Sequence, residues 1–139
     1  MNIRIVSGVT HEVPDLVRFI EKETSDLAPE FALYVGFYSL FEPSELLSCL
    51  VFYSPSQEHG LRGIKFGGAV YPGRPWGRTM EGLICMRFVV EGMVREELGL
   101  DILEADIPQR NFRVAALLVH AGFKRMNSNT YRYTFHAKN

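Results

Sequence analysis

The sequence predicts a single mixed α/β domain, and three observations support that prediction. The chain has 139 residues, hydrophobic residues make up 47% of it, and segments with strand-like spacing alternate with segments of helical spacing. A chain of this length builds one hydrophobic core, and its apolar content excludes a disordered protein. We therefore expect residues 1–139 to form one domain with elements in the order β-α-β-β-β-α-β-α-β-β.

The chain is predicted to begin with a strand and an amphipathic helix. Branched residues from Ile3 to Ser7 indicate the strand. From His11 to about Asp26, apolar residues recur at helical spacing with acidic residues on the opposite side. Thr10 is the expected N-cap, and Pro14 lies in the first turns, where proline is tolerated.

Three strands are predicted next. Phe31–Phe41 and Leu46–Tyr53 are rich in aromatic and branched residues, and the short segment Glu42–Glu45 joins them as an antiparallel hairpin. Gln57–Gly60 is expected to be a polar loop, and Ile64–Tyr71 is expected to be a long strand.

Two consecutive glycines, Gly67 and Gly68, lie inside this last strand. A glycine in a strand often marks a bulge or a bend. It also lets a ligand or another backbone approach closely. The sequence leaves both interpretations open.

A long helix is predicted from about Thr79 to Leu98, before Gly99. Apolar residues occupy most of its circumference, so we expect it to be largely buried. Small or slender residues form one stripe suited to close packing on a sheet: Gly82, Cys85, Val89 and Gly92. The crossover between the flanking strands is expected to be right-handed.

The C-terminal third predicts a strand, a helix and two further strands. Leu100–Ile107 has strand character, and Asn111 is the expected N-cap of a helix that runs to Ala121. Gly122 is the expected C′ residue, with Phe123 folded back toward the helix in a Schellman-type stop. The last two strands are expected over Phe123–Met126 and Tyr131–His136.

The net charge of −1 conceals two oppositely charged halves. Residues 1–60 carry a net charge of −6 and residues 61–139 a net charge of +5. The sequence pI is near 6.4 and the basic residues are dispersed, so we expect no nucleic-acid partner. No apolar stretch reaches the length of a membrane span, so no membrane partner is expected.

The cysteines and histidines indicate a cytoplasmic protein without a metal. Cys49 and Cys85 lie in apolar segments and are expected to be buried free thiols, which are typical of a reducing compartment. The four histidines are scattered and no cysteine pair occurs, so no metal-ligand spacing is present.

The segment between the third long strand and the long helix has the composition of an anion site. Backbone amides at the start of a helix attract phosphate through their unpaired N–H groups and the helix dipole. Arg74 and Arg78 add positive charge there, and Gly77 permits close backbone approach. An ordinary helix start with two arginines is the alternative interpretation.

At this point the sequence resembles the GNAT superfamily of acetyl-CoA-dependent N-acetyltransferases. Arg74–Thr79 matches that family's phosphate-loop pattern, [Q/R]-x-x-G-x-[G/A], with Thr79 in place of the final small residue. Asn111 through Leu117 to Gly122-Phe123 matches a second family segment, N-x-x-A-x-x-L followed by G-F. The order of elements along nearly the whole chain is also similar.

The resemblance implies a GNAT-like fold with the fourth and fifth strands splayed apart, and acetyl-CoA as the co-substrate. The backbone of Ala69, Val70 and Tyr71 would pair with the pantetheine arm, and Asn111 would contact it. Amides of the loop would hold the pyrophosphate: Arg74, Pro75, Trp76, Gly77, Arg78 and Thr79.

The implied reaction moves an acetyl group to a primary amine or a peptide N-terminus by direct attack. The acidic first half favours a cationic acceptor, an amine-bearing small molecule or peptide. Glu104 and Asp106 are candidate proton acceptors or ordinary strand-end acids, and Leu118 occupies the position where many members carry a catalytic tyrosine. The catalytic residues stay unassigned.

The alternative is a catalytically silent GNAT-like binding or assembly module, similar to short phage-encoded proteins of this type. Pro75 removes one amide donor from the loop, and Trp76 and Thr79 are bulkier than the family pattern. A homodimer is a further expectation, because the hairpin carries aromatic side chains that would line either a dimer face or the core: Phe31, Tyr34, Phe37, Tyr38 and Phe41.

Overall fold

The computed structural model describes residues 2–24, 29, 31–41 and 44–135. Its contacts divide the chain into two compact units. The first unit comprises residues 1–53 and 67–89, and the second comprises residues 54–66 and 90–139. Each unit is described separately below.

The first unit is an antiparallel ribbon with two helices. The strands β1 (Ile3–Val9), β2 (Ala32–Ser39) and β3 (Leu46–Glu58) pair in sequence order, with a bulge in β2 after Phe37. The helices are α1 (Pro14–Thr24) and α2 (Met80–Val89), and the end of β4 (Leu61–Val70) also belongs to this unit.

The core of the first unit lies between α1 and the antiparallel strands. Leu16 and Ile20 project from α1, where they recur at helical spacing, and meet Tyr34 of β2 and Cys49 of β3. Burying the side chain of Leu16 contributes about 2 kcal/mol through the hydrophobic effect. The hairpin aromatics Tyr34 and Phe37 are therefore core residues.

The second unit contains the parallel pairing of the fold. The first part of β4 pairs in parallel with β5 (Ile102–Asp106), and β7 (Thr130–Thr134) pairs antiparallel with β5 and with β6 (Lys124–Arg125). The neighbour order in the mixed sheet is β1-β2-β3-β4-β5-β7-β6. A mixed α/β fold with a seven-stranded sheet confirms the predicted fold class and element order.

The last long helix, α4 (Phe112–His120), begins and ends as its sequence predicts. The Asn111 side chain accepts a hydrogen bond from the Val114 amide at 3.4 Å. At the other end, Gly122 has a φ of 102°, and the Phe123 amide donates to the Leu118 carbonyl at 2.9 Å. These bonds form a Schellman motif.

Several element boundaries differ from the prediction. The helix α1 begins at Pro14 and not at His11, because the Val9 amide donates to the Glu12 carboxylate and the chain turns there first. The expected loop over Gln57–Gly60 is a tight turn at His59 and Gly60, both with positive φ, so β3 extends to Glu58. Asp26, Glu42, Pro43 and His136 lie outside the described residues.

The predicted long helix runs from Met80 to Leu98 as α2, a π-helical turn over Val90–Val94, and α3 (Arg95–Leu98). The expectation that it is largely buried is wrong for one side. Three large apolar residues spaced four apart are exposed by more than half: Met80, Ile84 and Phe88. No described helix is long and apolar enough to cross a membrane.

Candidate functional site

The candidate site begins where β4 leaves its pairing with β5. The parallel ladder ends at Lys65 and Glu104, whereas β4 continues to Val70. Tyr71 donates its amide to the Leu47 carbonyl of β3 at 3.0 Å. Because successive residues of a strand direct their backbone groups to opposite edges, Val70 presents its N–H and C=O to the edge away from β3.

Gly68 and Gly67 have different surroundings. A Cβ on Gly68 would lie 2.7 Å from the Cys49 carbonyl oxygen, so β3 approaches the backbone closely at this residue. A Cβ on Gly67 would meet nothing within 4 Å. Gly68 is therefore needed for the approach of another backbone, one of the two interpretations that the sequence left open.

After Tyr71 the chain forms a 3-10 turn over Pro75–Arg78. The ring of Trp76 packs on Phe37 of β2, with 5.8 Å between ring centroids. The bulky indole therefore lies over β2. Its Nε1–H is buried and has no acceptor among the described residues, which is unusual for a buried indole.

Thr79 joins the 3-10 turn to α2. Its amide and its hydroxyl both donate to the Trp76 carbonyl, at 3.0 and 2.6 Å, and its Oγ1 accepts from the Gly82 amide at 3.1 Å. The threonine is thus the N-cap of α2, which explains why it replaces a smaller residue. Its own amide and that of Gly82 are already bonded, so the uncapped amides of this helix start belong to Met80 and Glu81.

Gly77 is required by packing on the sheet. A Cβ at this position would lie 2.7 Å from Cγ2 of Val70 and 3.3 Å from Cβ of Ser48. The glycine that matches the phosphate-loop pattern therefore holds the turn against β3 and β4. A large substitution here disturbs the fold as well as any ligand contact.

The two arginines of the loop have different environments. Arg74 Nη2 lies 2.7 Å from Oε2 of Glu45, and both side chains are partly exposed. Arg78 is exposed, lies in the last turn before α2, and forms no ion pair with a described residue. Its guanidinium is the more accessible of the two for an anion at the start of the helix. The ion pair with Glu45 could not be found from the sequence, since nothing local connects positions 45 and 74.

Asn111 belongs to the second unit, whereas the nine other predicted site residues belong to the first. Within the first unit the structure brings together the end of β4, the turn and the start of α2. In the second unit, the Asn111 side chain accepts the capping hydrogen bond from the Val114 amide.

The candidate proton acceptors are both engaged by neighbouring strands. Lys65 donates to Asp106 at 2.5 Å, and Arg132 donates to Glu104 at 3.3 Å. The Lys65 hydrogen bond holds the pKa of Asp106 below its usual value, with a further contribution from Thr130. A lower pKa makes this carboxylate a weaker base. Structural pairing therefore accounts for both acids.

Both cysteines are buried free thiols. Burial raises the pKa of Cys49 to about 12 and also raises that of Cys85. Raised values disfavour the thiolate, so neither cysteine has the character of a nucleophile. Among the described residues, no group of His, Cys, Asp and Glu could hold a metal ion.

The comparison with solved structures gives extensive matches at low sequence identity. A putative acetyltransferase from Acinetobacter baylyi ADP1 aligns with a TM-score of 0.68 at 12% identity, over 98% of this chain and 96% of that one. The AtaT Y144F toxin, solved with the C-terminus of the antitoxin AtaR and acetyl-CoA, aligns at 0.57 and 10% identity, over 96% and 94%. The KacTA–DNA complex aligns at 0.56 and 18%, over 94% and 93%.

These structures correct the expected partners. We excluded a nucleic-acid partner on the basis of overall charge. That exclusion is wrong, because chains with a similar fold are solved in complexes with DNA and with an antitoxin.

The sequence itself gives no corresponding match: no protein-family model matches it, and no curated protein does. The assignment therefore depends on three-dimensional similarity. Solved structures that align over more than nine-tenths of the chain include acetyltransferases and an acetyl-CoA complex. The chain has the fold of the GNAT superfamily of acetyltransferases.

Proposed function

We propose that the protein is an acetyl-CoA-dependent N-acetyltransferase that acetylates a primary amine. One observation carries this proposal. β4 continues from Lys65 to Val70 beyond its pairing with β5 and leads at once into a turn and the start of a helix. This arrangement offers unpaired strand backbone and helix-start amides within one short segment.

The first unit has donors that suit the two ends of acetyl-CoA. The outer backbone edge at Val70 suits the amides of pantetheine, while Tyr71 is committed to β3 through its amide. The helix-start amides and Arg78 suit the pyrophosphate, because both place positive charge at the N-terminus of α2.

Arg74 and Asn111 complete the proposed cofactor residues. Arg74 reaches an anion only by loosening its bond to Glu45. Asn111 would contribute from the second unit. Ala69 contributes less than we expected, because its carbonyl already accepts from Oγ of Ser48 at 3.2 Å.

The proposed chemistry is direct attack by a neutral amine. Acetyl-CoA supplies an acetyl thioester. The amine nitrogen forms a bond to the thioester carbonyl carbon, the carbon–sulfur bond breaks, and the amine proton must pass to a base or to water. The acidic character of residues 1–60 favours a cationic amine, including one on a protein N-terminus.

Calorimetry with acetyl-CoA tests the cofactor half of the proposal. We expect binding to the purified protein in the micromolar range, and we expect Arg78→Glu to weaken it at least about tenfold, since the substitution removes a pyrophosphate partner and adds repulsion. Lys22→Glu makes the same change of charge at an exposed position on α1 and should leave binding unchanged. Absence of binding at millimolar acetyl-CoA would refute the proposal.

Release of free CoA with a panel of amines tests the transfer half. The panel includes polyamines and peptides with free N-termini. Turnover with any of these supports the enzyme. Binding of acetyl-CoA with no turnover across the panel would favour the silent module, in which the fold and the cofactor site persist without transfer.

A further inference from the structure

The last part of the chain contains no carboxylate side chain. From Ile107 to Asn139 the sequence has six lysines and arginines and no Asp or Glu. Of the five within the described residues, four are exposed, and they lie on α4, just before it, and on β6: Arg110, Arg113, Lys124 and Arg125. The overall charge of −1 conceals this concentration of positive charge in the second unit.

An exposed aromatic ring lies between two of these arginines. Phe112, the first residue of α4, is 78% exposed, and Arg110 and Arg113 flank it in sequence. The packing of this unit does not require the exposed ring. An exposed planar apolar side chain with an exposed arginine on each side in sequence is suited to stacking with an unpaired base while the arginines meet phosphates.

A depression in the loop before α4 lies between Arg110 and the turn that carries a third basic residue, Arg125. Its volume is about 650 Å³, and its lining includes Gln109, Arg110 and Asn129. Arg125 donates through Nε to the Asn127 carbonyl at 3.1 Å, which places it on the same turn as Asn129. The loop before α4 is fixed to that turn, because the Ile107 amide donates to the Asn129 carbonyl.

One carboxylate also lines the depression, but its charge is balanced. Asp106 receives hydrogen bonds from Lys65 at 2.5 Å and from Thr130 at 3.1 Å. The local field therefore stays positive. Hydrogen-bonding side chains, Gln109 and Asn129, complete the polar lining.

We propose that the surface formed by Arg110, Phe112, Arg113 and Arg125 binds single-stranded nucleic acid. The arginines would contact phosphates and Phe112 would stack with a base. This inference goes beyond the proposed acetyl transfer and does not depend on it, because none of these four residues is among the proposed cofactor residues.

Fluorescence anisotropy with labelled oligouridylate and oligothymidylate of about 12 nucleotides tests the proposal in the absence of acetyl-CoA. We expect binding at low salt. With three phosphate contacts the expected salt slope is about −2, so a change from 50 to 200 mM salt should weaken binding about twentyfold. A marked preference for the RNA or for the DNA strand identifies the natural source of the ligand, and a blunt duplex should bind more weakly than either because its bases are stacked.

Matched variants separate stacking from charge. Phe112→Ala should weaken binding at least about fivefold, whereas Phe88→Ala, which removes an equally exposed ring from the first unit, should not. The double variant Arg110→Gln with Arg113→Gln should reduce the salt slope to about a third. Lys22→Gln is the control for loss of one exposed positive charge, and all variants are checked for an unchanged melting temperature.

Four results would overturn the proposal. The first is absence of binding to either strand at 50 mM salt, and the second is equal effects of the Phe112 and Phe88 variants. The third is competition by polyglutamate as strong as that by the oligonucleotides, which would indicate an acidic protein as the partner. Displacement of the oligonucleotide by CoA at its own dissociation constant would instead assign the surface to the cofactor. Loss of strand binding alone would leave the proposed acetyl transfer unaffected.

Discussion

The guanidinium of Arg74 and the carboxylate of Glu45 lie 2.7 Å apart, and this ion pair connects the loop before α2 to the start of β3. Both side chains are partly exposed, so the pair contributes at most about 1 kcal/mol to stability. The ion pair also affects ligand binding, because an arginine that is paired with a carboxylate is less available to a phosphate.

Glu45→Gln should therefore tighten acetyl-CoA binding by about two- to fivefold, since it releases Arg74 from a bond worth up to about 1 kcal/mol. Calorimetry measures this change directly. Glu97→Gln makes the same change of charge at an exposed position in the second unit and should have no effect. Unchanged or weaker binding by Glu45→Gln would show that Arg74 does not contact the cofactor.

The cap formed by Thr79 can be tested by two substitutions. Thr79→Val keeps the shape of the side chain but removes the acceptor for the Gly82 amide and the donor to the Trp76 carbonyl. We expect it to lower the free energy of unfolding by about 1 kcal/mol, as measured by urea denaturation. Thr79→Ser keeps both bonds and should cost much less. Equal losses for the two variants would contradict a capping role.

The pairing of Asp106 predicts a pH-dependent contribution to stability. Lys65 holds the pKa of this carboxyl below its usual value of 3.8 in the folded chain, so the folded state binds the proton less readily than the unfolded state. The pair therefore stabilises the fold fully above about pH 4, and the contribution is lost as the pH falls through the lowered pKa. Because both groups are partly exposed, its size is at most about 1 kcal/mol.

Urea denaturation of the wild type and Asp106→Asn at pH 6 and pH 3 measures that contribution. We expect the wild type to be the more stable at pH 6 and the difference to shrink at pH 3. Asp101→Asn is unsuitable as a control, because the Asp101 carboxylate accepts from the Arg62 amide. Glu97→Gln serves instead, since it makes the same carboxylate-to-amide change at an exposed position.

The sequence predicted the elements whose signals are local. The cap at Asn111 and the stop at Gly122 depend on residues within one turn, so α4 was predicted with its correct ends. The spacing of Leu16 and Ile20 likewise predicted the buried side of α1. Such features require no knowledge of the distant chain.

The properties that depend on distant residues were not predictable. The exposed side of α2 was missed, because Ile84 and Phe88 are apolar and only the packed structure shows which apolar residues have no neighbours. The loop pattern includes Gly77 but does not reveal its packing role, because a Cβ there would meet the side chain of Val70 on β4. Likewise, the net charge of the whole chain does not reveal the concentration of positive charge around Phe112 in the sequence.

Gly82 provides the sharpest test of how α2 begins. A Cβ at this position would overlap the Trp76 carbonyl oxygen, which already accepts two hydrogen bonds from Thr79. The obstacle is backbone fixed by those bonds, so it cannot move aside as a flexible side chain can. Gly82→Ala should therefore lower the free energy of unfolding by about 2–3 kcal/mol.

Gly92 is the matched control, because a Cβ there would meet nothing within 4 Å. Gly92→Ala should raise the free energy of unfolding by about 0.5–1 kcal/mol, since alanine restricts the unfolded chain and favours helix. Urea denaturation with an unchanged m-value measures both variants. Similar effects of the two substitutions would mean that the start of α2 does not pack on the Trp76 carbonyl, and the anion-binding geometry proposed for that helix start would lose its support.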